Sequence, residues 1–351
     1  MSLERISADQ ALTTLADYAA VIDARSEGEY AEDHLPGAVN WPSLHDEERK
    51  IVGTRYKQIS QFEAKKLGAA LVAQNIATHI QREVLDKPRE WQPLVYCWRG
   101  GKRSGSLALV LDQIGFRVTL VDGGYKAFRA AMVADLPQLA ARHQYRVVCG
   151  PTGAGKTRLL HALAQRGAQV LDLEALANHR SSVLGMIPGV PQPSQKAFDS
   201  LIWAALRGFD PARPVYIESE SKKVGNVAVP DGLIAAMRAS ACLRLDLPEA
   251  ERVALLLEDY DFFVKDTAFF CERLGALTEA RGKATVQDWQ ARARSGDLAS
   301  VVQELLVTHY DPAYLQSIRR NFDQYHTAQV LAPRDRSAAA MDALAQTLLA
   351  A

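Results

Sequence analysis

The chain has 351 residues, 48% hydrophobic and 23% charged, with 41 basic and 41 acidic side chains and a formal net charge of +0. That length allows two domains with separate cores, and the composition is that of a folded globular protein rather than a disordered or fibrous one. A balanced charge removes the global basic field that advertises nucleic-acid binding, so an RNA substrate would have to be held by a local patch. The four cysteines, Cys97, Cys149, Cys242 and Cys271, form no C-x-x-C pair. This argues against a zinc site and fits a reduced, cytoplasmic setting. Residues 1–5 lack the apolar core of a signal peptide. No apolar run approaches the ~20 residues that span a bilayer, so no membrane partner is expected.

In chain order, residues 8–15 carry a short helical pattern, and residues 20–25 read as a strand ending in the charged residues Asp23 and Arg25. These two either brace a nearby loop or form an ordinary surface pair. A turn of helix follows at 27–31, then Pro36-Gly37 forces a turn into a second strand at Ala38-Val39. Residues 45–90 are helical in character, with Phe62, Leu67, Leu71, Val72 and Ile76 recurring at helical spacing as a core stripe. Pro93-Leu94-Val95-Tyr96 then reads as a buried strand with Cys97 at its end. Trp98-Arg99-Gly100-Gly101-Lys102 separates Cys97 from Arg103-Ser104, and a helix over 107–111 follows. Adjacent glycines let successive N–H groups turn inward as an anion-binding nest, and the helix start adds partial positive charge. With Arg99, Lys102 and Arg103 alongside, Cys97 is placed as a nucleophile toward an atom attached to an anion. Gly100, Gly101 and Ser104 complete that candidate anion site. The plainer alternative is a buried cysteine with surface cations nearby. A further strand at 117–121 and a turn at Asp122-Gly123-Gly124-Tyr125 complete an α/β domain with a mainly parallel sheet.

The order Val21-Ile22-Asp23-Ala24-Arg25, Glu29-Tyr30, His34-Leu35-Pro36-Gly37-Ala38-Val39-Asn40, Cys97 and Gly123-Gly124 resembles a rhodanese domain over about residues 5–135. The resemblance implies a loop cysteine that carries a chalcogen adduct. One feature departs from it: five residues lie between Cys97 and Arg103, where rhodaneses usually have four. The longer loop is similar to that of related phosphatases and arsenate reductases, which hold a phosphate-sized oxyanion. A loop enlarged for a phosphate-bearing chalcogen donor is the expectation, rather than simple cyanide sulfurtransfer.

Residues 136–144 read as a connecting helix or linker, giving domains at 1–135 and 145–351. The second opens with the apolar strand 145–149 and runs into Gly150-Pro151-Thr152-Gly153-Ala154-Gly155-Lys156-Thr157, followed by a helix over 158–165. This is G-x-x-x-x-G-K-T between a strand and a helix. Its backbone, with Gly150, Gly153 and Gly155, is suited to cradle a diphosphate. Lys156 would neutralise it and Thr157 would hold Mg²⁺. The pattern reports a phosphate ester, not what is attached to it. Residues 168–173 form another strand with Asp172 at its carboxyl end, where ligands of open α/β sheets bind. The polar run Glu174, Asn178, His179, Arg180, Ser181 and Ser182 follows, then a Pro/Gly-rich loop at 187–193. The strand at 213–221 ends in Glu218 and Glu220, candidates with Asp172 for a base or for ordering Mg²⁺; exposed strand-end charges are the alternative. After a strand at 242–248 the chain is mostly helical, with a break at residues 310–314. Cys149, Cys242 and Cys271 lie in apolar surroundings and are expected to be packed and inert. The fold class expected is therefore α/β: a rhodanese-like parallel-sheet domain, then a P-loop NTPase-like domain with a helical C-terminal part.

Taken together, Cys97-Trp98-Arg99-Gly100-Gly101, the P-loop, Asp172-Leu173-Glu174 with 178–182, and Glu218-Ser219-Glu220-Ser221 resemble the tRNA 2-selenouridine synthase family. The resemblance implies action on wobble 2-thiouridine in tRNAs for Lys, Glu and Gln. Geranyl diphosphate would alkylate the sulfur, and selenium from selenophosphate would then replace it. The P-loop would serve geranyl diphosphate and Cys97 with its loop would serve selenophosphate. Two other readings stay open: an ATP-dependent sulfurtransferase or kinase-like enzyme with a rhodanese domain, and a phosphatase- or arsenate-reductase-like enzyme using the Cys97 loop alone.

Overall fold

The computed structural model describes residues 3–182 and 184–350. The chain divides into two compact units: residues up to Leu136 together with Ser194–Ala204, and Pro137–Pro193 together with residues from Ala205 onward. The return of 194–204 to the first unit is not visible in the sequence.

The first unit contains β1 (Glu4–Ile6), α1 (Ala8–Thr14), β2 (Ala20–Asp23), α2 (Glu27–Glu32), β3 (Ala38–Asn40), α3 (Asp46–Gln58), α4 (Gln61–Glu83), β4 (Pro93–Tyr96), α5 (Lys102–Ile114), β5 (Thr119–Val121) and most of α6 (Gly124–Ala141). Residues 136–141, read as a connection, are the last turns of α6. The sheet order is β1-β5-β4-β2-β3, and every pairing is parallel. All four residues of β4 are buried, as a central strand covered on both faces requires. Ile22, Val95, Leu107, Leu111 and Leu120 form the middle of the core, with Trp41, Trp91 and Phe116 at one side. The expected stripe on α4 is only partly core: Ile76 is buried, while Phe62 is 67% exposed and Leu67, Leu71 and Val72 are half-buried. Helix α4 spans 23 residues, of which only Ala64, Asn75 and Ile76 are buried.

The second unit continues through β6 (Tyr145–Cys149), α7 (Lys156–Gln165), β7 (Gln169–Leu171) and α8 (Leu173–Leu176). Next come α9 (Gln195–Gly208, shared with the first unit), β8 (Val215–Glu218), the small hairpin β9 (Lys223–Val224) and β10 (Val227–Ala228), α10 (Asp231–Arg238) and β11 (Ala241–Leu245). A run of helices follows: α11 (Glu249–Asp259), α12 (Asp261–Lys265), α13 (Thr267–Leu274), α14 (Thr278–Arg281), α15 (Lys283–Arg294), α16 (Leu298–Leu305) and α17 (Asp311–Asn321). The chain closes with β12 (Gln329–Leu331) and α18 (Ala338–Ala350). The parallel sheet has the order β12-β11-β6-β8-β7. The expected break at 310–314 is not a break: a π-helical turn, Leu306–Tyr310, leads into α17, which accepts Pro312 because its first turn needs no N–H there. Among the described residues no helix is long and apolar enough to cross a membrane.

Candidate functional site: two anion cradles

Cys97 follows the central strand β4, at the carboxyl end of its sheet. A buried polar network fixes that strand end. The Tyr96 hydroxyl donates to Asp23 Oδ2 at 2.8 Å, and Arg25 Nη2 pairs with the same oxygen at 2.6 Å. The Arg25 guanidinium lies 4.0 Å from the centroid of the Tyr125 ring, and the Tyr125 hydroxyl donates to Asp33 at 2.7 Å. Asp23 and Arg25 are thus a buried brace of the strand end, not a surface pair. The 123–126 turn supports the loop from beneath, since Tyr125 N–H donates to Cys97 O at 2.8 Å and Lys126 N–H to Trp98 O at 3.0 Å. Gly124 is required there: at φ +57° a Cβ would sit 2.2 Å from the Cys97 carbonyl oxygen.

The Cys97 sulfur is buried and accepts from Gly101 N–H at 3.2 Å and from the Ser104 hydroxyl at 3.1 Å. Gly100, at φ +64°, turns the loop. Arg103 is bound by Glu29, with Nη1 at 2.6 Å and Nη2 at 3.3 Å from its two oxygens. Burial works against the Glu29 carboxylate, but the Arg103 bonds and charge outweigh it and hold its pKa below the usual value. Arg99 and Lys102 reach solvent. The sequence-predicted residues therefore gather at one loop in distinct positions: Ser104 on the sulfur, Arg103 anchored, Arg99 and Lys102 open to solvent.

The P-loop occupies the matching place after β6, the middle strand of the second sheet. Gly155 precedes α7 at φ +89°, and Lys156 Nζ donates to Gly150 O at 2.9 Å. Two partners not anticipated from the sequence hold the loop. Buried Arg252 donates to Thr152 O at 2.8 and 3.0 Å and pairs with Asp311 at 2.6 Å, and the Gly150 N–H donates to the Tyr314 hydroxyl at 2.6 Å. Gly153, at φ +78°, packs so closely that a Cβ would lie 3.0 Å from Arg252 O and from Leu256. Asp311 and Tyr314 belong to the segment singled out as a helix break, so composition marked the place but not the role.

Beside Thr157 lies a carboxylate cluster. The Thr157 hydroxyl donates to Glu174 Oε2 at 3.3 Å, and Glu174 N–H donates to Glu218 Oε1 at 3.0 Å. Ser181, held at φ +50°, donates its hydroxyl to Glu220. Burial, then Asp172, Glu220 and Glu174, push Glu218 well above the usual carboxylate range. Burial and the charge of Glu174 push Glu220 up to about 8. Asp172 caps α8 by accepting from Ala175 N–H at 2.8 Å, and its other oxygen lies 3.3 Å from His161 Nε2. Among the described residues no three His, Cys, Asp or Glu side chains are arranged to hold a metal ion by themselves. The Thr157 hydroxyl and the buried, unpartnered Glu218 Oε2 are oxygen donors of the kind that would hold a hydrated Mg²⁺, which would supply charge neutralisation beside the loop.

An apolar cavity of about 60 Å³ opens against Thr152, lined by Leu256, Tyr260, Phe263, Phe270, Leu305 and Tyr310 among others. Cys149, Cys242 and Cys271 are buried, and none joins either cradle.

Residues 7–131 match the rhodanese-like domain, and residues 143–280 match the tRNA 2-selenouridine synthase AAA domain. A Nitrosomonas europaea protein named tRNA 2-selenouridine synthase is 38% identical over 68% of this chain, and the match spans 63% of that relative's length. Proteins of the same name from Aeromonas salmonicida (31% identical, 85% of this chain and 87% of the relative) and Bdellovibrio bacteriovorus (29% identical, 91% and 94%) align over nearly the whole chain. The chain belongs to the tRNA 2-selenouridine synthase family. Both cradles fall inside the matched regions, Cys97 in the first and residues 150–157 in the second.

Proposed function

We propose that this protein converts wobble 2-thiouridine to 2-selenouridine in tRNAs for Lys, Glu and Gln, by prenylating the sulfur and then exchanging it for selenium. The observation that carries this reading is the apolar, aromatic cavity at Thr152. A diphosphate on the P-loop would continue into that cavity as a hydrocarbon, which suits geranyl diphosphate better than a nucleotide base and ribose. The cavity is small as it stands, so a geranyl chain would need its lining side chains to move apart.

The sulfur on C2 attacks C1 of the prenyl donor. The S–C1 bond forms, the C1–O bond breaks with its electron pair on the diphosphate, and the N3 proton is released. Lys156 and the loop N–H groups stabilise the departing diphosphate. Mg²⁺, when bound, adds charge neutralisation there. Alkylation turns a poor leaving group into a thiolate. In the other unit, the loop N–H groups, Arg99 and Lys102 hold the phosphoryl oxygens of selenophosphate. The Cys97 sulfur attacks phosphorus, the P–Se bond breaks with its pair on selenium, and hydrogen selenide is freed for C2. Water then hydrolyses the S–P bond and restores Cys97.

Mass spectrometry of nucleosides tests this, using thiolated tRNA incubated with protein, Mg²⁺ and geranyl diphosphate, with and without selenophosphate. The expected result is a geranylated thiouridine that becomes selenouridine only when selenophosphate is added. An unchanged wobble nucleoside, with ATP turned over instead, overturns the reading in favour of an ATP-dependent enzyme.

A further inference from the structure

Helices α3, α4 and α5 of the first unit leave a groove of about 550 Å³ between them. Its walls are apolar, with Tyr56, Val72, Ile76 and Leu109 among them, and Tyr56 and Leu109 are 46% and 48% exposed. Its charged lining residues are all cations: Lys65, Lys102 and Arg103. Lys102 and Arg103 are the first two residues of α5, directly after the Cys97 loop. The groove therefore joins a hydrocarbon-lined trough to the cationic rim of the cradle. Of the stripe on α4 expected in the core, Val72 and the buried Ile76 line its floor.

We infer that this groove receives the prenyl chain of the S-alkylated wobble nucleoside during the exchange step. The inference rests on the chalcogen-exchange reading above. In that step the C2–Se bond forms and the C2–S bond breaks with its electron pair on sulfur. The selenide hydrogen ends on N3, and the prenyl thiolate takes a proton from solvent. Entering selenium and leaving sulfur are both bonded to C2 in the intermediate, so the prenyl chain must lie beside the anion cradle. A hydrocarbon of that size left in water would forfeit its burial, whereas the groove supplies an apolar wall with no acidic residue to repel RNA or donor phosphates. The first unit thus has its own prenyl subsite, separate from the cavity at Thr152.

The test uses an RNA stem-loop carrying S-geranyl-2-thiouridine or S-methyl-2-thiouridine, with selenophosphate. Wild-type protein is expected to prefer the geranyl substrate in kcat/KM by at least about tenfold, and to bind it more tightly than the unmodified thio-RNA. Ala73→Trp, at an exposed groove position on α4, fills the trough, and Leu109→Gln makes its wall polar. In both variants the geranyl-over-methyl preference is expected to collapse toward one. A preference retained in both variants overturns the inference. So does equal wild-type affinity for geranylated and thiolated RNA, or loss of a dimer in Ala73→Trp, which would make a second copy the occupant. Tight geranyl-dependent binding without turnover would instead defeat the exchange chemistry and leave the groove standing.

Discussion

The two cradles are built on one plan and differ in what surrounds the anion. Each follows a strand flanked on both sides in a five-stranded parallel sheet, each turns through glycine of positive φ (Gly100 in one, Gly153 and Gly155 in the other), and each leads into a helix N-terminus. At Cys97 the floor is a sulfur fed by a backbone N–H and a hydroxyl, and the nearby acidic residue, Glu29, is neutralised by Arg103. At the P-loop the ammonium of Lys156 donates to Gly150 O and acts on the nearby carboxylates Glu174 and Glu220. On the proposed function, the same backbone device would support covalent chemistry in one unit and electrostatic stabilisation in the other. The sharpest way to break the comparison is to remove each centre in turn. Cys97→Ser is expected to abolish selenouridine formation while geranylation stays within about twofold of wild type, since a hydroxyl is a far weaker nucleophile. Selenouridine formed at the wild-type rate by that variant ends the assignment. Lys156→Ala is expected to lower geranylation roughly 100-fold, because the developing diphosphate charge loses its cation. It should still convert pre-geranylated RNA, and loss of both steps together would mean the cradles do not divide the work.

A third prediction concerns support rather than chemistry. Arg252→Ala leaves the half-buried Asp311 without its partner and frees the Thr152 carbonyl, a loss of about 1–3 kcal/mol. Denaturant unfolding of the second unit should report that loss, and geranylation should fall with it. The matching brace in the first unit, Arg25 with Asp23, should not respond. A melting profile insensitive to Arg252→Ala would show that the P-loop holds its shape unaided.

The shape of both loops was legible in the sequence because its signals are local: a strand, glycines at fixed spacing, a helix start. The residues that hold them were not. Arg252 lies 100 positions beyond Thr152, and Tyr314 lies 164 beyond Gly150. Tyr125 and Asp33 meet across 92 positions. No periodicity carries such pairings. Strand β12, three residues long with two of them exposed, was likewise hidden, because edge strands lack the apolar run that marks central ones. The stripe on α4 was correctly seen as apolar but is core only in part: Ile76 is buried, Val72 packs against the core and Phe62 is exposed, since helical spacing reports a face and not what covers it.

The smallest expected effect separates the cradles by pH. Glu220 in the folded protein holds its proton up to about 8, owing to burial and then the charge of Glu174, against an ordinary value of 4.5. Below 4.5 both folded and unfolded chains carry the proton, and the associated stability is fully present. As pH rises toward 8 the unfolded chain releases its proton while the folded one retains it, so stability falls, and above 8 the loss is complete. Glu29 is shifted the opposite way, so it stabilises above its ordinary value and loses that contribution only as pH falls through its depressed one. Between pH 5 and 8.5, in the absence of Mg²⁺, the second unit should therefore lose roughly 1–3 kcal/mol, with Glu174 and Glu218 sharing the titration. The first unit should stay nearly flat over the same range. Glu220→Gln should reduce the slope for the second unit, measured as the denaturant midpoint against pH. An unchanged slope would place the titration on Glu218 and Glu174, the other acids of this cluster that burial pushes up.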